Sequence, residues 1–405
     1  MMTAARFAFV AAALACSCAT AAHAQQHAVK IGVLNDMSSL FSENSGLGSV
    51  VSAKLAVEDF NPAAHGLNVE IVSADHQNKP DIGLNIARQW FDVDHVDAIV
   101  DLTTSSIALA VSDLARDKNK VLLVSAAATS DLTGKRCTPN TIHWSYDTWM
   151  LAHGTGKAVV ATGGDTWFFL TADYAFGQAL ERDTTAVIEA NGGKVLGSVR
   201  HPINTNDFSS FLLQAQASKA KIIGLANAGG DTVNAIKQSA EFGIAKGGQQ
   251  LAGLLVFVSD INSLGLEVAQ GLVLTSSWYW DMTDANRAFA KRWRAERPGR
   301  VPTMVHGGVY SSVIHYLKAV VALQGDTEGR KVVAKMKEMP TDDPLFGKGY
   351  VRADGRKIHD AYLFQVKTPE ESKYPGDYYR LRATIPAADA FRPLKDGGCP
   401  LVSEQ

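Results

Sequence analysis

The sequence lacks both a strong charge of one sign and any long apolar run beyond its first residues. Basic and acidic side chains nearly cancel over 405 residues, leaving a formal net charge of −2, which gives no electrostatic preference for nucleic acid or an anionic membrane. No apolar run after residue 24 reaches the ~20 residues that a membrane-spanning helix needs. With 46% hydrophobic residues, the chain is expected to fold as a globular protein of two domains.

Motifs for catalysis and for cofactor binding are also missing. There is no G-x-S-x-G and no H-E-x-x-H, and paired glycines such as Gly229-Gly230 do not form a G-x-G-x-x-G after a strand. The histidines are scattered along the chain without a close pair. We therefore expect no enzyme activity, no metal and no cofactor, although a catalytic triad is defined by geometry rather than by motif order.

Residues 1–24 have the features of a signal peptide. Arg6 supplies a positive charge, residues 7–15 form an apolar run, and Ala22-His23-Ala24 is a small-x-small cleavage site. The mature chain is then expected to begin near Gln25 in an oxidising envelope compartment. Lipidation at Cys16 or Cys18 is the alternative, but a lipobox wants leucine three residues before its cysteine, and Leu14 lies two before Cys16.

Cysteine is scarce, with four in all, and removal of the leader leaves only Cys137 and Cys399. A lone pair in an oxidising compartment is expected to be bonded, which would tie the C-terminus to the loop at residues 131–140. Neither has a cysteine or histidine neighbour at zinc-ligand spacing, so a zinc site is not expected.

The rest of the chain alternates strand-like apolar runs with amphipathic helical patterns. The first set predicts strands at 29–33, 69–73, 98–102 and 121–125 and helices at 45–60, 80–93 and 106–117. The second set predicts strands at 166–171, 194–200, 221–226, 254–258 and 272–276 and helices at 148–162, 177–191, 207–218 and 231–242. Repeated units of this kind predict an α/β fold with two doubly wound parallel-sheet lobes.

Three further helices, at 284–296, 304–323 and 330–339, have no strands between them and are expected to return to the first lobe. The predicted division is therefore residues 25–146 plus 277–349 for lobe 1 and 147–276 plus 350–366 for lobe 2. Residues 367–405 form a tail that returns to lobe 1. Several crossings between rigid lobes would form a multi-strand hinge, with the ligand in the cleft beyond the carboxyl ends of the strands.

Two turns rich in serine and threonine follow predicted strands of the first lobe. Ser105, Ser106 and Thr129 place hydroxyls and backbone N–H groups at apparent helix starts, and two such starts side by side would bind an anion such as a carboxylate. The alternative is that both turns are only well-capped connections between strand and helix.

Several segments together resemble the Leu/Ile/Val-binding protein family, the periplasmic solute receptors of ABC importers with the type I two-lobe fold. The similarity extends through the mature chain. The segments are VKIGV at 29–33, TSS at 104–106, AAT at 127–129 before DLT at 131–133, YAFG at 174–177, EFGI at 241–244 and QGLVLT at 270–275.

The resemblance implies roles for individual residues. A hydroxyl at Ser105, a carbonyl at Ala127 and a hydroxyl plus N–H at Thr129 would hold a ligand's α-carboxylate and α-amine. From the second lobe, Phe176 would close over the ligand, with Tyr174 beside it. The family also implies a monomer in the periplasm that docks on an ABC permease in the inner membrane.

The group that would bind an amine is less clearly marked. Asp231 is one candidate from the second lobe, but it is equally suited to cap a helix. Together with Asn227, it is expected to reach the ligand when the cleft closes. Asp260 is the other candidate, yet it lies in Ser-Asp-Ile-Asn, where amino-acid receptors of the family have a Glu-Gly type of sequence.

Aromatic residues are concentrated near the expected hinge, where some would wedge the hinge and some would line the cleft. They are Trp144, Tyr146, Trp278, Tyr279 and Trp280. This pattern resembles the branch of the family that binds aromatic acids, so a hydrophobic amino acid and an aromatic acid both remain candidate ligands. The rival functions are a ligand-sensing receptor domain, which usually continues into a membrane span, and an enzyme that uses the cleft.

Overall fold

The computed structural model describes residues 26–402. The predicted signal peptide, its cleavage site and the two candidate lipidation cysteines lie outside the described residues. Among the described helices, none combines the length and apolar character needed to cross a membrane.

The first lobe is built on a sheet of five strands. They are β1 His27–Asn35, β2 Leu67–Asp75, β3 Ala98–Asp101, β4 Val121–Val124 and β5 Thr141–His143. All pair in parallel in the order β2-β1-β3-β4-β5. The connecting helices are α1 Gly46–Phe60, α2 Pro80–Asp92 and α3 Ser105–Lys118. Strands β3 and β4 are buried throughout, as expected where helices cover both faces of a parallel sheet.

The second lobe repeats this plan with a four-stranded parallel sheet. Its chain runs through α4 Thr148–Leu151, a π turn at Ala152–Gly156, α5 Lys157–Ala161, β6 Thr166–Ala172, α6 Ala175–Ala190, β7 Lys194–His201, α7 Ser209–Ala217, β8 Ile222–Ala226, α8 Gly230–Glu241, β9 Gln250–Gly253, α9 Val258–Leu264, α10 Leu266–Ala269 and β10 Val273–Ser276. The sheet order is β7-β6-β8-β9. Two parallel-sheet lobes confirm the predicted fold class.

One predicted strand is wrong. Residues 254–258 form no strand, because β9 ends at Gly253 and Val258 already begins α9. An apolar run of five residues suits a buried loop as well as a buried strand, and its periodicity does not distinguish the two. Leu254 and Phe257 are buried as predicted, but they belong to the loop that leads from β9 toward the other lobe.

The chain then returns to the first lobe. Helices α11 Asp284–Glu296, α12 Met304–Ala322 and α13 Gly329–Glu338 are followed by β11 Thr341–Asp343, β12 Gly347–Val351 and β13 Lys357–Ile358. Helix α12 packs on α1. Arg356 forms an isolated parallel β-bridge with His143, the last residue of β5. Residues 350–358 therefore pair within the first lobe, and the third crossing comes near His359, later than the predicted boundary after residue 349.

The remaining strands complete the second lobe. Strands β14 Ala361–Val366 and β15 Tyr379–Ile385 extend from β10 as an antiparallel sheet, and α14 Ala387–Ala390 follows. The predicted disulfide is confirmed: Cys137 and Cys399 are joined, with Cα atoms 5.6 Å apart. It ties the end of the C-terminal tail to the first lobe. The prediction that all of residues 367–405 return there is wrong, because Tyr379–Ile385 pair as β15 in the second lobe.

A buried ion pair stabilises the hinge between the lobes. The Arg356 guanidinium lies 3.3 Å from the carboxylate of Asp147 and donates to the carbonyls of His143 and Tyr146 at 3.2 and 3.1 Å. Asp147 also caps α4 by accepting from the amide of Met150. One fully buried cation thus joins the first and third crossing segments.

Candidate functional site

A small pocket lies between the two lobes, with a cavity volume of about 20 Å³. Its polar lining residues are Asn44, Ser45, Thr103 and Ser105. Its aromatic lining residues are Phe41, Tyr146, Tyr174, Phe176 and Phe257. The rest of the wall is aliphatic: Ala126, Ala128, Ala228, Leu255 and Val305. Apart from Val305, these residues follow the carboxyl ends of strands in both sheets, where ligands of open α/β sheets bind.

The two serine- and threonine-rich turns are joined directly. The amide of Ala127 donates to the carbonyl of Leu102 at 2.8 Å, and the amide of Thr129 donates to the hydroxyl of Ser105 at 3.2 Å. Ser105 accepts in this bond, so its own hydroxyl hydrogen is free to donate into the pocket that it lines.

A second hydroxyl pair lies at the start of α1. The hydroxyls of Ser45 and Thr103 are 2.9 Å apart, and Thr103 also accepts from the amide of Asp36 at 3.2 Å. Ser45 in turn donates to the carbonyl of Phe41 at 3.5 Å, a long bond that can be exchanged for one to a ligand when Thr103 donates to Ser45. Ser45 and Ser105 therefore offer two neutral donors on the same side of the cleft.

Helix starts add a positive field to these donors. Ser45 precedes α1 and Ser105 begins α3, and neither helix has a side-chain N-cap. Among the described residues, there is no hydrogen-bond acceptor for the backbone amides of residues 46–48, in the first turn of α1, or of residues 105–107, in the first turn of α3. Unpaired N–H groups and the helix dipole both favour an anion at this position.

Backbone strain accompanies the first turn. Asp101 and Leu102, which precede Thr103, have positive φ values of 83° and 54°, a conformation that costs non-glycine residues of order 1–3 kcal/mol each. Asn35 donates to the carboxyl of Asp101 at 2.7 Å, and Leu102 donates to the carbonyl of Leu34 at 3.0 Å. Burial raises the pKa of Asp101 to about 6.

The second lobe supplies an aromatic wall. Phe176 and Tyr174 lie at the start of α6, with ring centroids 5.8 Å apart, and Phe257 meets Tyr146 edge to face at 6.0 Å. The Tyr146 hydroxyl donates to the carbonyl of Ala126 at 2.5 Å. Rings fixed in this way form a rigid apolar surface for a ligand.

Of the residues that the sequence singled out, Ser105, Tyr174 and Phe176 line the pocket. Ala127 and Thr129 lie behind it. The Ala127 carbonyl accepts from the His143 ring at 2.7 Å. The helix start expected at Thr129 is a short 3₁₀ helix, Ser130–Thr133, which the Thr129 hydroxyl caps by accepting from the amide of Asp131 at 3.4 Å.

Asn227, Asp231 and Asp260 do not line the pocket, and each is bonded elsewhere. Asn227 accepts from the Thr232 hydroxyl at 2.7 Å. Asp231 accepts from the amides of Asn204 and Thr205 at 3.1 and 2.8 Å. Burial raises the pKa of Asp231 to about 7 and that of Asp260 to about 6.

The aromatic residues near the hinge do not all lie in the cleft. Tyr146 lines the cleft, whereas Trp144 is buried and donates to a serine hydroxyl on α12 at 2.8 Å. Trp278 packs against a glycine of α12, and Tyr279 and Trp280 both donate to one carbonyl of the C-terminal tail.

Sequence reasoning missed the loop after β1. Phe41, Asn44 and Ser45 all line the pocket, and the available signal was the polar stretch between a strand and a helix, the same pattern that identified the turn at Ser105. Phe257 was missed because its segment was interpreted as a strand.

The chain is similar to known binding proteins over most of its length. A family model described as periplasmic binding protein matches residues 28–373. A solved periplasmic binding protein from Burkholderia mallei is 52% identical, with a TM-score of 0.90, covering 93% of this chain and 99% of that one. A solved branched chain amino acid ABC transporter periplasmic ligand-binding protein from Burkholderia xenovorans is 41% identical, with a TM-score of 0.81, covering 92% and 99%.

A curated relative, Leu/Ile/Val-binding protein homolog 6 of Brucella melitensis, is 26% identical over 381 residues, covering 91% of this chain and 95% of its own. These similar proteins are solute-binding proteins rather than enzymes.

Proposed function

The chain belongs to the periplasmic binding protein family, and on that premise we propose that it captures a small apolar or aromatic carboxylate that carries no α-amine. The carboxylate is held by the hydroxyls of Ser45 and Ser105 and by the first turns of α1 and α3. The apolar body lies among Tyr146, Phe176 and Phe257. The closed complex then delivers its ligand to an ABC permease from the periplasm.

The observation that carries this proposal is the chemistry of the lining. None of the described lining residues is an acid or a base. A carboxylate finds hydroxyl and amide donors there, which form charge-assisted hydrogen bonds. An ammonium group would be buried without a carboxylate partner, and such desolvation is costly. Five aromatic rings suit a planar or branched apolar body.

The name of the Burkholderia xenovorans protein supports a second candidate, a branched-chain amino acid. In that case the ammonium would rest against aromatic faces and backbone carbonyls, since Asp231 and Asp260 do not line the pocket. The two candidates differ in a single chemical group of the ligand, which makes them easy to separate.

Thermal-shift measurements with matched ligands test the proposal. Benzoate and cinnamate should raise the melting temperature in proportion to the logarithm of their concentration, and benzamide should not. 4-Methylpentanoate should stabilise more than leucine, from which it differs only by the amine. Stabilisation by leucine alone would favour the second candidate, and stabilisation by none of these compounds would contradict both.

A further inference from the structure

The two lobes touch directly beside the pocket. Asn44 lies on the loop after β1. Its side-chain amide nitrogen is 3.0 Å from the Ser259 hydroxyl and 3.1 Å from the Asp260 carboxyl, both at the start of α9. At a second point, the amide of Gly230 donates to the carbonyl of Leu40 at 3.3 Å. Loop 40–44 of the first lobe is thus bonded to two helix starts of the second.

Gly229 is the residue of the second lobe against which that loop packs. Its φ of +60° and ψ of −135° suit glycine almost alone. A Cβ atom at this position would lie 2.7 Å from the Leu40 carbonyl oxygen, 2.8 Å from the Phe41 ring and 3.1 Å from the Asn44 side chain. The closest of these contacts is backbone, which does not yield as the end of a side chain does. The first lobe approaches this closely only because residue 229 has no side chain.

We propose that Asn44, Gly229 and Asp260 form a latch that sets how strongly the closed cleft is favoured, acting through lobe-to-lobe contact rather than through the ligand. Gly229 and Asp260 do not line the pocket, so they are positioning residues. Asp260 is accordingly a lobe contact and not an amine-binding group. Its other oxygen accepts from the Phe257 amide at 2.8 Å, which fixes the carboxyl for Asn44.

The latch has a consequence for affinity. A ligand that binds only the closed form binds more weakly as the closed fraction falls. Loss of a latch contact at Gly229 or Asp260, which do not line the pocket, should therefore lower the affinity for every ligand by the same factor, whereas loss of a pocket contact changes affinity according to ligand structure. This distinction separates a positioning residue from a residue that touches the ligand.

The test measures the distance between the lobes with no carboxylate added. Spin labels at Arg88→Cys on α2 and Lys237→Cys on α8 report the separation by pulsed electron resonance, because both sites are exposed and Cys137 and Cys399 are bonded to each other. Gly229→Ala should move most of the population to longer distances. Asn44→Ala, which introduces no backbone strain, should move part of it.

Gly265→Ala is the matched control. Gly265 has a comparable glycine-type conformation, φ 78° and ψ 154°, but nothing lies within 4 Å of a Cβ placed there. It should keep the wild-type distance. Unchanged distances in both Gly229→Ala and Asn44→Ala, or equal opening in Gly265→Ala, would overturn the latch. The latch rests on the proposed function only in that closing the cleft serves to capture a ligand. The distance measurement itself involves no ligand. A failure to bind carboxylates would therefore leave the distance result standing.

Discussion

The backbone amide of Thr129 donates to the side-chain hydroxyl of Ser105 across 3.2 Å, and this bond joins the turn after β4 to the turn after β3. Thr129 is fully buried and Ser105 almost so. Ser105 therefore has two functions at once: it satisfies a buried amide on one side and presents its hydrogen to the pocket on the other.

Replacing Ser105 by alanine should impair both functions. A hydrogen bond to a charged group contributes about 1.5–3 kcal/mol, so we expect ~10- to 100-fold weaker carboxylate binding in calorimetric titrations. Stability should fall by about 1–3 kcal/mol, because the Thr129 amide is left without an acceptor. Ser106→Ala is the control, since Ser106 does not line the pocket and should change neither quantity. Wild-type affinity in Ser105→Ala would remove Ser105 from the site.

Phe176→Leu should alter selectivity more than stability. The substitution retains most of the apolar volume at this buried position but removes a ring face from the pocket wall. Aromatic contacts contribute about 0.5–1.5 kcal/mol beyond the area they bury, so the affinity for cinnamate should fall by roughly 2- to 10-fold relative to that for 4-methylpentanoate. Equal losses for both acids in a competition assay would show that Phe176 only packs the core.

His306 should make the protein sensitive to acid. Its ring donates to the Ser45 carbonyl at 2.8 Å and accepts from the Thr303 amide at 2.9 Å, and burial lowers its pKa from 6.5 to about 3. The unfolded chain binds a proton below pH 6.5 that the folded protein does not. This contribution to stability is therefore complete above pH 6.5 and declines as the pH falls toward 3.

One proton of difference corresponds to about 1.4 kcal/mol per pH unit. Urea unfolding between pH 4 and pH 6.5 should show a smaller pH slope for His306→Gln than for wild type. The exposed His65 supplies His65→Gln as the matched variant for loss of an imidazole at the surface. An unchanged slope in His306→Gln would mean that His306 protonates in the folded state.

Reduction of the Cys137–Cys399 bond should destabilise the fold without emptying the site. The bond closes a loop with a sequence separation of 262, and disulfides typically stabilise by about 2–4 kcal/mol. Cys137→Ser/Cys399→Ser should therefore melt several degrees lower than wild type and bind carboxylates with the same affinity, because neither cysteine lines the pocket. A loss of affinity at temperatures where the variant is folded would connect the tail to the cleft.

The sequence was most informative where its local patterns are strong. The strand-like run at 98–102 and the helical pattern at 106–117 predicted β3 and α3 to within two residues. The apolar periodicity and the polar residues at the helix start indicate the same boundary there. The disulfide followed from the small number of cysteines together with the expected export to an oxidising compartment. The loop at 254–258 failed because five apolar residues are compatible with either a strand or a buried turn.

The site was harder to predict than the fold, because its composition depends on which side chains face the opposite lobe. Ser105 and Phe176 were found from turn chemistry and family resemblance. Asp260 was a plausible ligand contact by type, yet its carboxyl is bonded to Asn44, far away in sequence. Asn44 has no local motif to mark it. Contacts between lobes depend on the hinge, which a linear pattern does not describe.

The preference for a carboxylate without an amine is measured by calorimetric titration of the wild-type protein with 3-phenylpropanoate and with phenylalanine, which differ only in the α-amine. A charge-free, aromatic pocket with hydroxyl and amide donors predicts that 3-phenylpropanoate binds at least ~10-fold more tightly, since burying an unpaired ammonium is unfavourable. Tighter binding of phenylalanine would contradict the account and would require an amine-binding group in the cleft.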